Sequence, residues 1–456
     1  MKDIYRHINE NIEESIETLF KLVTQPSISA QRLGFDKAPI LVKECMESAG
    51  LRTEIVNVPN DGLPSVFGEI TGRNKERTLL FYTHYDVQPV DPIELWDTNP
   101  FQPVKKGNRF YGRGMSDDKG NIVARLAAIR AFLDKRGEVP CNIKFFCEGE
   151  EESGSINLPA LIEERGHDFK ADACIWEGGG RTASNIPFMY LGLKGVLTVE
   201  FYNRQLSGDA HSSLATVLPS AAWRILQAVH SIKDNTGNIL IDGFYDDVLP
   251  PTIEEIQAIK SLPDESKEFQ RIYGVEAFVN GLKDENLRHE HYLAPTANIA
   301  GMTSGYQGEG FKTVLPAEAS IKMDFRLVPN MRPLDIFSKL RHHLNKNGFD
   351  DIELKQSGGV NPYRTSMSHP WVNLVSQTAF EIYGQKPVIT PNMPGSGPMY
   401  DFGHTLGIPI ATSGVDHPSH KIHAPNENIT EDDFILGAKH AALIIERFAK
   451  DTENIF

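Results

Sequence analysis

The stretch Arg77–Val87, "RTLLFYTHYDV", decides the fold that the sequence predicts. It is nearly continuous in apolar residues, a pattern typical of a strand that is buried on both faces at the centre of a sheet. The run closes on two polar residues, His84 and Asp86. On an extended strand, side chains two positions apart share one face, so this imidazole and this carboxylate can converge on one point.

The segments around this stretch alternate between strand and helix patterns. "CNIKFFCEG" and "ADACIWEG" are strand-like, and apolar residues on one face predict a helix from about Asn121 to Lys135. Such alternation predicts an α/β fold, a sandwich with helices on both faces of a largely parallel sheet.

The pattern changes after Gly195. In "ASIKMDFRLVP", Ile321, Met323 and Phe325 alternate with charged residues, which predicts a half-exposed antiparallel strand. We therefore predict that residues 196–362 form a smaller α+β domain. This domain is inserted between the two parts of the first one, residues 1–195 and 363–456.

Composition excludes several classes of protein. The net charge of −15 over 456 residues argues against a nucleic-acid binder, whose phosphate contacts need a basic surface. The N-terminus has no apolar signal region, and no stretch approaches 18 apolar residues, so we expect neither secretion nor a membrane span. The four cysteines show no CxxC spacing and are expected to be reduced thiols of a cytoplasmic protein.

Acidic residues collect where predicted strands end. "YGRGMSDDKG" supplies Asp117 and Asp118, "EGEEESGS" supplies Glu151 and Glu152, and "CIWEGGG" supplies Glu177. Ligands of open α/β sheets bind outside the carboxyl ends of the strands, where these segments and "THYDVQP" are expected to meet. We expect Glu148 and Glu150 to face solvent beside them.

So many carboxylates in one place need a positive partner. Two unit charges about 4 Å apart repel by several kcal/mol at an effective dielectric near 20. Divalent cations remove this repulsion, and a mixed set of imidazole and carboxylate ligands suits Zn²⁺ or Mn²⁺ better than Mg²⁺. Paired carboxylates around a bridging Asp are also what a two-metal site needs.

These segments resemble the M20 metallopeptidases. "THYDVQP", "GRGMSDDKG", "EGEEESGS", "KTVLPAEASIKMDFRLVPN" and "HAPNE" occur in the order of that family, over essentially the whole chain, and look closest to its carnosinase-like dipeptidase branch. The resemblance implies a zinc-peptidase-like catalytic domain interrupted by a lid domain, and commonly a homodimer formed through the lids. It implies hydrolysis of the amide bond of dipeptides or other small peptides.

The resemblance also implies metal ligands, two divalent ions per subunit being expected. His84 and Glu177 match ligands that take one metal each alongside a bridging Asp117. Glu152 and His423 match ligands of the second ion. "DHPSHKIHAPNE" also contains His417 and His420, and spacing alone does not choose among the three histidines; the family match selects His423.

Further residues carry over as catalytic or substrate-binding groups. Asp86 matches a residue that supports His84. Glu151 matches the general base, which takes a proton from water and returns it to the leaving amine. His211, in "GDAHSS", matches a histidine that reaches the partner's active site and stabilises the oxyanion. Residues matching the part of the site near the substrate carboxylate are Asn298, Arg326, Ser396 and Gly397.

Two alternatives remain open at this stage. The dipeptidase branch usually carries Asp at the position of Glu177, whereas deacylases and desuccinylases carry Glu. An N-acyl-amino-acid deacylase on the same site is therefore an alternative to a dipeptidase. The other is a metal-binding scaffold without catalysis, against which the presence of Glu151 counts.

Overall fold

The computed structural model describes residues 1–182 and 184–450. The α-helices of this part of the chain are α1 Lys2–Glu10, α2 Ile12–Thr24, α3 Ala38–Ser48, α4 Lys119–Arg136, α5 Leu158–Phe169, α6 Ala221–His230, α7 Ile253–Ser261, α8 Ser266–Tyr273, α9 Asp284–Leu293, α10 Pro333–Lys346, α11 Pro370–Tyr383 and α12 Glu431–Lys450. Within these residues, no helix is both long enough and apolar enough to cross a lipid bilayer.

The strands are β1 Arg52–Val56, β2 Ser65–Ile70, β3 Asn74–His84, β4 Val104–Lys106, β5 Arg109–Tyr111, β6 Cys141–Glu148, β7 Ala173–Trp176, β8 Gly180–Arg181, β9 Pro187–Tyr190, β10 Gly192–Leu193, β11 Gly195–Arg204, β12 Ala210–His211, β13 Thr296–Ser304, β14 Val314–Leu315, β15 Glu318–Leu327, β16 Glu353–Val360, β17 Tyr363–Arg364, β18 Val388–Thr390, β19 Ile410–Thr412 and β20 Asn428–Thr430.

The chain divides into two compact units. The first contains Met1–Gly192, Arg364–Pro391 and Pro398–Phe456, and the second contains Leu193–Tyr363 and Asn392–Gly397. The short segment from Asn392 to Gly397 is a feature that the sequence pattern does not predict, because it lies inside a stretch that otherwise belongs to the first unit.

The first unit is built on a six-stranded sheet with the order β1-β2-β6-β3-β7-β19. Strands β6, β3, β7 and β19 run parallel, whereas β1 and β2 pair antiparallel at one edge. The last six residues of β3, from Leu79 to His84, are buried. This is the α/β class that the sequence predicts, with "RTLLFYTH" inside the sheet.

Helices cover both faces of this sheet. Leu79 and Phe81 of β3 point into a core that they share with α1 to α4, α11 and α12. Tyr82 and Phe146 point to the opposite face, where the ring of Phe146 lies 4.9 Å from that of Phe169 in α5. Because side chains alternate along a strand, the continuous apolar run of β3 supplies both cores.

The second unit has its own core on an antiparallel sheet of order β13-β15-β11-β16. Ile321, Met323 and Phe325 of β15 are buried against α6 and α10, while Lys322 and Asp324 lie on the other face. The alternation predicted for this strand is confirmed.

A buried arginine joins the ends of the central strands of the first unit. Arg125, on α4, is only 2% exposed. Its Nη1 donates to the carbonyl oxygen of Tyr82 at 2.6 Å, and its Nη2 donates to the carbonyl oxygens of Trp176 at 2.6 Å and Ser413 at 3.1 Å. One guanidinium therefore satisfies three carbonyls at the carboxyl ends of β3 and β7 and just beyond β19.

We predict that Arg125→Met destabilises the first unit by about 3 kcal/mol or more, because each buried carbonyl left without a donor costs about 1–3 kcal/mol. Urea unfolding followed by tryptophan fluorescence measures this, since three of the four tryptophans lie in the first unit. The control is Arg447→Met, which removes an exposed ion pair with Glu381 and should change stability by about 0.5 kcal/mol or less. Equal midpoints for the two variants would contradict the prediction.

Candidate metal centre

Five predicted ligands come from separate elements of the first unit. His84 is the last residue of β3, Asp117 lies in the loop before α4, and Glu177 directly follows β7. Glu152 lies in a 3₁₀ turn after β6, and His423 lies in the loop before β20. Strands β3, β6 and β7 are parallel neighbours, so their carboxyl ends deliver three of these side chains to one edge of the sheet.

Asp117 lies between two imidazoles. Its Oδ1 is 2.8 Å from Nε2 of His84, and its Oδ2 is 3.0 Å from Nε2 of His423. Beyond them, Oε2 of Glu177 is 3.5 Å from the same nitrogen of His84, and Oε2 of Glu152 is 3.1 Å from that of His423. His84 and Glu177 thus lie together on one side of Asp117. The resemblance had implied that each of these two residues binds a different ion, so the arrangement differs from that expectation.

The donor set fits a pair of divalent cations. Asp117 belongs to two groups of side chains whose ligand atoms lie within 4.8 Å of one another, one with His84 and Asp118 and one with Glu152 and His423. Oε2 of Glu177 is buried and accepts no hydrogen bond within the described ranges 1–182 and 184–450. Carboxylate oxygens combined with imidazole nitrogens are ligands that Zn²⁺ and Mn²⁺ accept.

Burial and mutual repulsion perturb the acids of this centre. Burial raises the pKa of the Glu177 carboxyl well above its ordinary value, and the charge of Glu151 raises it further although His84 opposes. Burial also raises the pKa of Glu151, as do Glu152 and Asp117. For His84, burial lowers the pKa, but Glu177, Asp117 and Asp86 outweigh it and raise the pKa above its usual range. Such clustered shifts are typical of functional sites.

Asp86 is fully buried and binds two parts of the centre. Its Oδ1 is 3.4 Å from Nδ1 of His84, which also lies 3.1 Å from the backbone oxygen of Asp86. The same carboxylate accepts the backbone N–H groups of Glu151 at 3.2 Å and Glu152 at 3.0 Å. Asp86 therefore orients the imidazole and fixes the turn that carries both glutamates.

The expectation that Glu148 and Glu150 face solvent is wrong. Glu148 is 2% exposed and accepts the hydroxyl proton of Tyr82 at 2.7 Å, and Glu150 is 7% exposed and accepts the side-chain N–H₂ of Asn157. For Glu148 the physical reason is that β6 continues to this residue, which lies in register with His84 inside the sheet. Burial raises the pKa of Glu148 to about 8.

The two other histidines of the 416–427 segment have different partners. Nδ1 of His420 lies 3.3 Å from Oγ of Ser116 and 3.5 Å from Oδ1 of Asp416, and Nε2 of His417 lies 3.3 Å from the carbonyl oxygen of Asn428. Of the three, only His423 lies in a group of possible metal ligands among the described residues.

The remaining predicted residues belong to the second unit. Nη1 of Arg326 donates to Oγ of Ser396 at 2.8 Å, which places Arg326 beside the segment that contains Gly397. The side-chain N–H₂ of Asn298 donates to Asp324 at 2.8 Å. The structure thus brings Arg326 and Ser396 together.

His211 also lies in this unit. It is exposed on the short strand β12, and its Nδ1 accepts the backbone N–H of Ser213 at 3.1 Å.

Two residues of the site were not predicted from the sequence. The side-chain N–H₂ of Gln88 donates to Oε2 of Glu152 at 2.8 Å. Glu427 accepts hydrogen bonds from the loop that carries Asp117. Gln88 lies in the motif "THYDVQP" and Glu427 lies in "HAPNE", so the sequence motifs contain a signal for both residues. Their hydrogen-bond partners, however, are evident only from the structure.

An α/β sandwich with carboxylates and imidazoles at the carboxyl ends of its parallel strands has the architecture of a metal-dependent hydrolase. The sequence profile of Peptidase family M20/M25/M40 matches residues 80–447. The chain belongs to this family, and the prediction of an enzyme that hydrolyses peptide bonds is confirmed.

Several relatives match nearly the whole chain. The beta-Ala-His dipeptidase of Homo sapiens is 26% identical over 98% of this chain and 92% of that protein. The Cys-Gly metallodipeptidase of Saccharomyces cerevisiae is 26% identical over 100% of this chain and 99% of that protein. Among solved structures, an M20 family metallo-carboxypeptidase from Sulfolobus solfataricus is 38% identical with a TM-score of 0.91, over 96% of this chain and 99% of that one.

We predict that His423→Ala lowers the zinc content from about two ions to about one per chain, because it removes the only nitrogen ligand that faces Glu152 among the described contacts. His420→Ala is the matched control from the same loop and should retain both ions. Elemental analysis after equilibrium dialysis at buffered free Zn²⁺ measures the content. If the His420 variant lost an ion and the His423 variant lost none, His420 and not His423 would be the ligand.

Proposed function

We propose that this protein is a dinuclear metallodipeptidase that hydrolyses the amide bond of dipeptides or small peptides. The observation that carries the proposal is the position of Asp117, with one oxygen facing His84 and the other facing His423. The dipeptidases among its relatives match almost the full length of the chain, which supports the substrate class.

The proposed cofactors are two Zn²⁺ or Mn²⁺ ions per subunit. His84 and Glu177 would hold one ion, Glu152 and His423 the other, and Asp117 would bridge both. Bound cations supply Lewis acidity toward a peptide carbonyl and lower the pKa of water. Oε2 of Glu177 is buried and accepts no hydrogen bond among the described residues, which supports a cation at this position.

Glu151 is the proposed general base. Its carboxyl lies beside Glu152 in a turn that Asp86 holds through two backbone N–H groups. Burial and nearby carboxylates raise the pKa of Glu151. A raised pKa supports the role of a general base that takes a proton from water and then donates it to the leaving amine. Asp86 acts as a positioning residue for His84 and for this turn.

Residues of the second unit are proposed to bind the carboxylate end of the substrate. The guanidinium of Arg326 can pair with a carboxylate through two parallel hydrogen bonds, and Asn298 and Ser396 offer polar side chains. Gly397 follows Ser396 in the same segment and offers a backbone N–H. The hydrogen bond between Arg326 and Ser396 supports their acting together.

We also propose a cytoplasmic homodimer that forms through the second unit. Trp223 of α6 is 68% exposed and Met302 of the edge strand β13 is 53% exposed, so this unit presents apolar side chains that a partner subunit would cover. In such a dimer His211 would stabilise the oxyanion in the partner's site. The four cysteines are free and buried, which supports a reducing compartment.

Two other specificities have particular support. Glu177 occupies a position where deacylases and desuccinylases carry Glu, which favours an N-acyl-amino-acid deacylase. The 38% identical relative is described as a metallo-carboxypeptidase, which favours removal of the last residue from longer peptides. Both activities would use the same ligands and the same base, so only substrate recognition distinguishes them.

We predict that Glu151→Gln lowers kcat for a dipeptide by about 10²–10⁴-fold while the metal content stays unchanged, because an amide cannot accept the proton. The neighbouring Glu150→Gln is the control, since its side chain contacts Asn157 and its amide oxygen can still accept that hydrogen bond. Steady-state kinetics and elemental analysis on the same samples check both expectations. Turnover in the Glu151 variant close to that of the wild type would remove Glu151 from the role of base.

We predict that Cys-Gly and beta-Ala-His dipeptides are hydrolysed at least about tenfold faster in kcat/KM than N-acetyl or N-succinyl amino acids, and faster than N-blocked tripeptides. A free amino group and a free carboxylate on opposite sides of one amide bond are what a dipeptide site selects. Faster cleavage of the N-acyl compounds would identify a deacylase, and faster cleavage of N-blocked tripeptides a carboxypeptidase. Dipeptide amides serve as controls for the proposed contact with Arg326.

A further inference from the structure

Glu427 is a fully buried carboxylate surrounded by hydrogen-bond donors. Its Oε2 accepts Nη1 of Arg113 at 2.8 Å and the backbone N–H of Gly114 at 2.9 Å. Its Oε1 accepts the backbone N–H groups of Ser116 at 2.8 Å and Asp117 at 3.0 Å. One side chain thus binds four donors of a single loop, which we call the bridging loop, Arg113–Asp117.

The main chain of Glu427 is tied to the same part of the fold. Its carbonyl oxygen accepts the N–H of Gly112 at 3.0 Å, and β20, which begins at the next residue, pairs with β5 directly before the bridging loop. His423 precedes Glu427 by four residues. The segment that carries one proposed ligand is therefore attached to the loop that carries another.

We propose that Glu427 is a positioning residue of the metal centre: it holds the bridging loop against the segment His423–Glu427, so that Asp117 and His423 keep their spacing before a cation binds. This inference rests on the proposed metal centre. Glu427 acts through the ligands, because its own oxygens are occupied by the four donors.

The chemistry of the site requires a carboxylate. All four partners are donors, so a glutamine would direct its N–H₂ group at one of them and leave that donor without an acceptor. Arg113 is 2% exposed, and its charge would lose its buried counter-charge. An aspartate keeps the charge but is one methylene shorter, so it can reach only part of the loop.

The two sides of Asp117 should respond differently. His84 ends β3 and Glu177 directly follows β7, and Arg125 holds both strand ends through the carbonyl oxygens of Tyr82 and Trp176, independently of Glu427. His423 is not attached to a strand end that Arg125 holds, because it lies in a loop that ends at Glu427. Loss of the carboxylate should therefore weaken chiefly the ion of Glu152 and His423, by about 10–100-fold as for other residues that orient metal ligands.

The test compares the wild type with Glu427→Gln and Glu427→Asp. The matched control is Glu446→Gln. Glu446 is a largely buried glutamate of α12 in the same unit, and its Oε2 lies 2.8 Å from Nη1 of Arg136. Zinc bound per chain is measured by equilibrium dialysis over a series of buffered free Zn²⁺ concentrations. Tm is measured in parallel with chelator and with excess Zn²⁺.

We expect both Glu427 variants to bind one zinc ion as the wild type does and the second about 10–100-fold more weakly, with the glutamine more affected. The rise of Tm on adding zinc should shrink in these variants and stay unchanged in Glu446→Gln. Two outcomes would overturn the inference: wild-type zinc binding by Glu427→Gln, or equal weakening in the Glu446 control. Failure of the wild type to bind two ions would instead refute the proposed function.

A measurement on the wild type decides the matter if the Glu427 variants do not fold. Hydrogen–deuterium exchange of the amides of Gly114, Ser116 and Asp117 is followed with chelator and with Zn²⁺. We expect protection in both conditions, because the carboxylate, and not the cation, accepts these N–H groups. Exchange at the rate of an unstructured peptide in chelator would show that the loop is not held in advance, and the inference would fail.

Discussion

The placement of the Asp117 carboxylate between two imidazoles is the constraint on which the rest of the structure depends. Its two oxygens lie 2.8 Å from His84 and 3.0 Å from His423, and each imidazole faces one further glutamate. Acids packed this closely repel one another, so their positions must be fixed by the surrounding fold. The sheet provides the first part of that fixation, because its parallel strands end at a common edge.

The second part comes from buried charged groups that bind backbone atoms. Arg125 donates to carbonyl oxygens at three strand ends, Asp86 accepts two N–H groups of the turn after β6, and Glu427 accepts three N–H groups of the bridging loop. Each of these groups fixes a segment of the main chain, and this also fixes the position of the proposed metal ligand that the segment carries. Hydrogen bonds to charged partners are stronger than neutral ones, which suits them to hold segments that repel each other.

The sequence predicts what local pattern determines. The apolar run before His84 is a strand inside the sheet, and the alternation around Met323 is a half-exposed strand. The acids of the strand ends are also foreseeable, because motif order and strand position agree. The environments of Glu148 and Glu427 are not, since Glu148 meets Tyr82 across 66 positions and Glu427 meets Asp117 across 310. Spacing along a chain carries no information about such distant partners.

The segment Asn392–Gly397 has a consequence for how this chain can be cut or recombined. The polypeptide enters the second unit twice, so a fragment made of residues 193–363 alone would lack Ser396, the acceptor of Arg326. It would also lack the carbonyl of Gly395, which accepts the backbone N–H of Lys194 at 2.9 Å. To exchange this unit alone between homologous genes, both segments must be transferred together, with one crossover on each side of each segment.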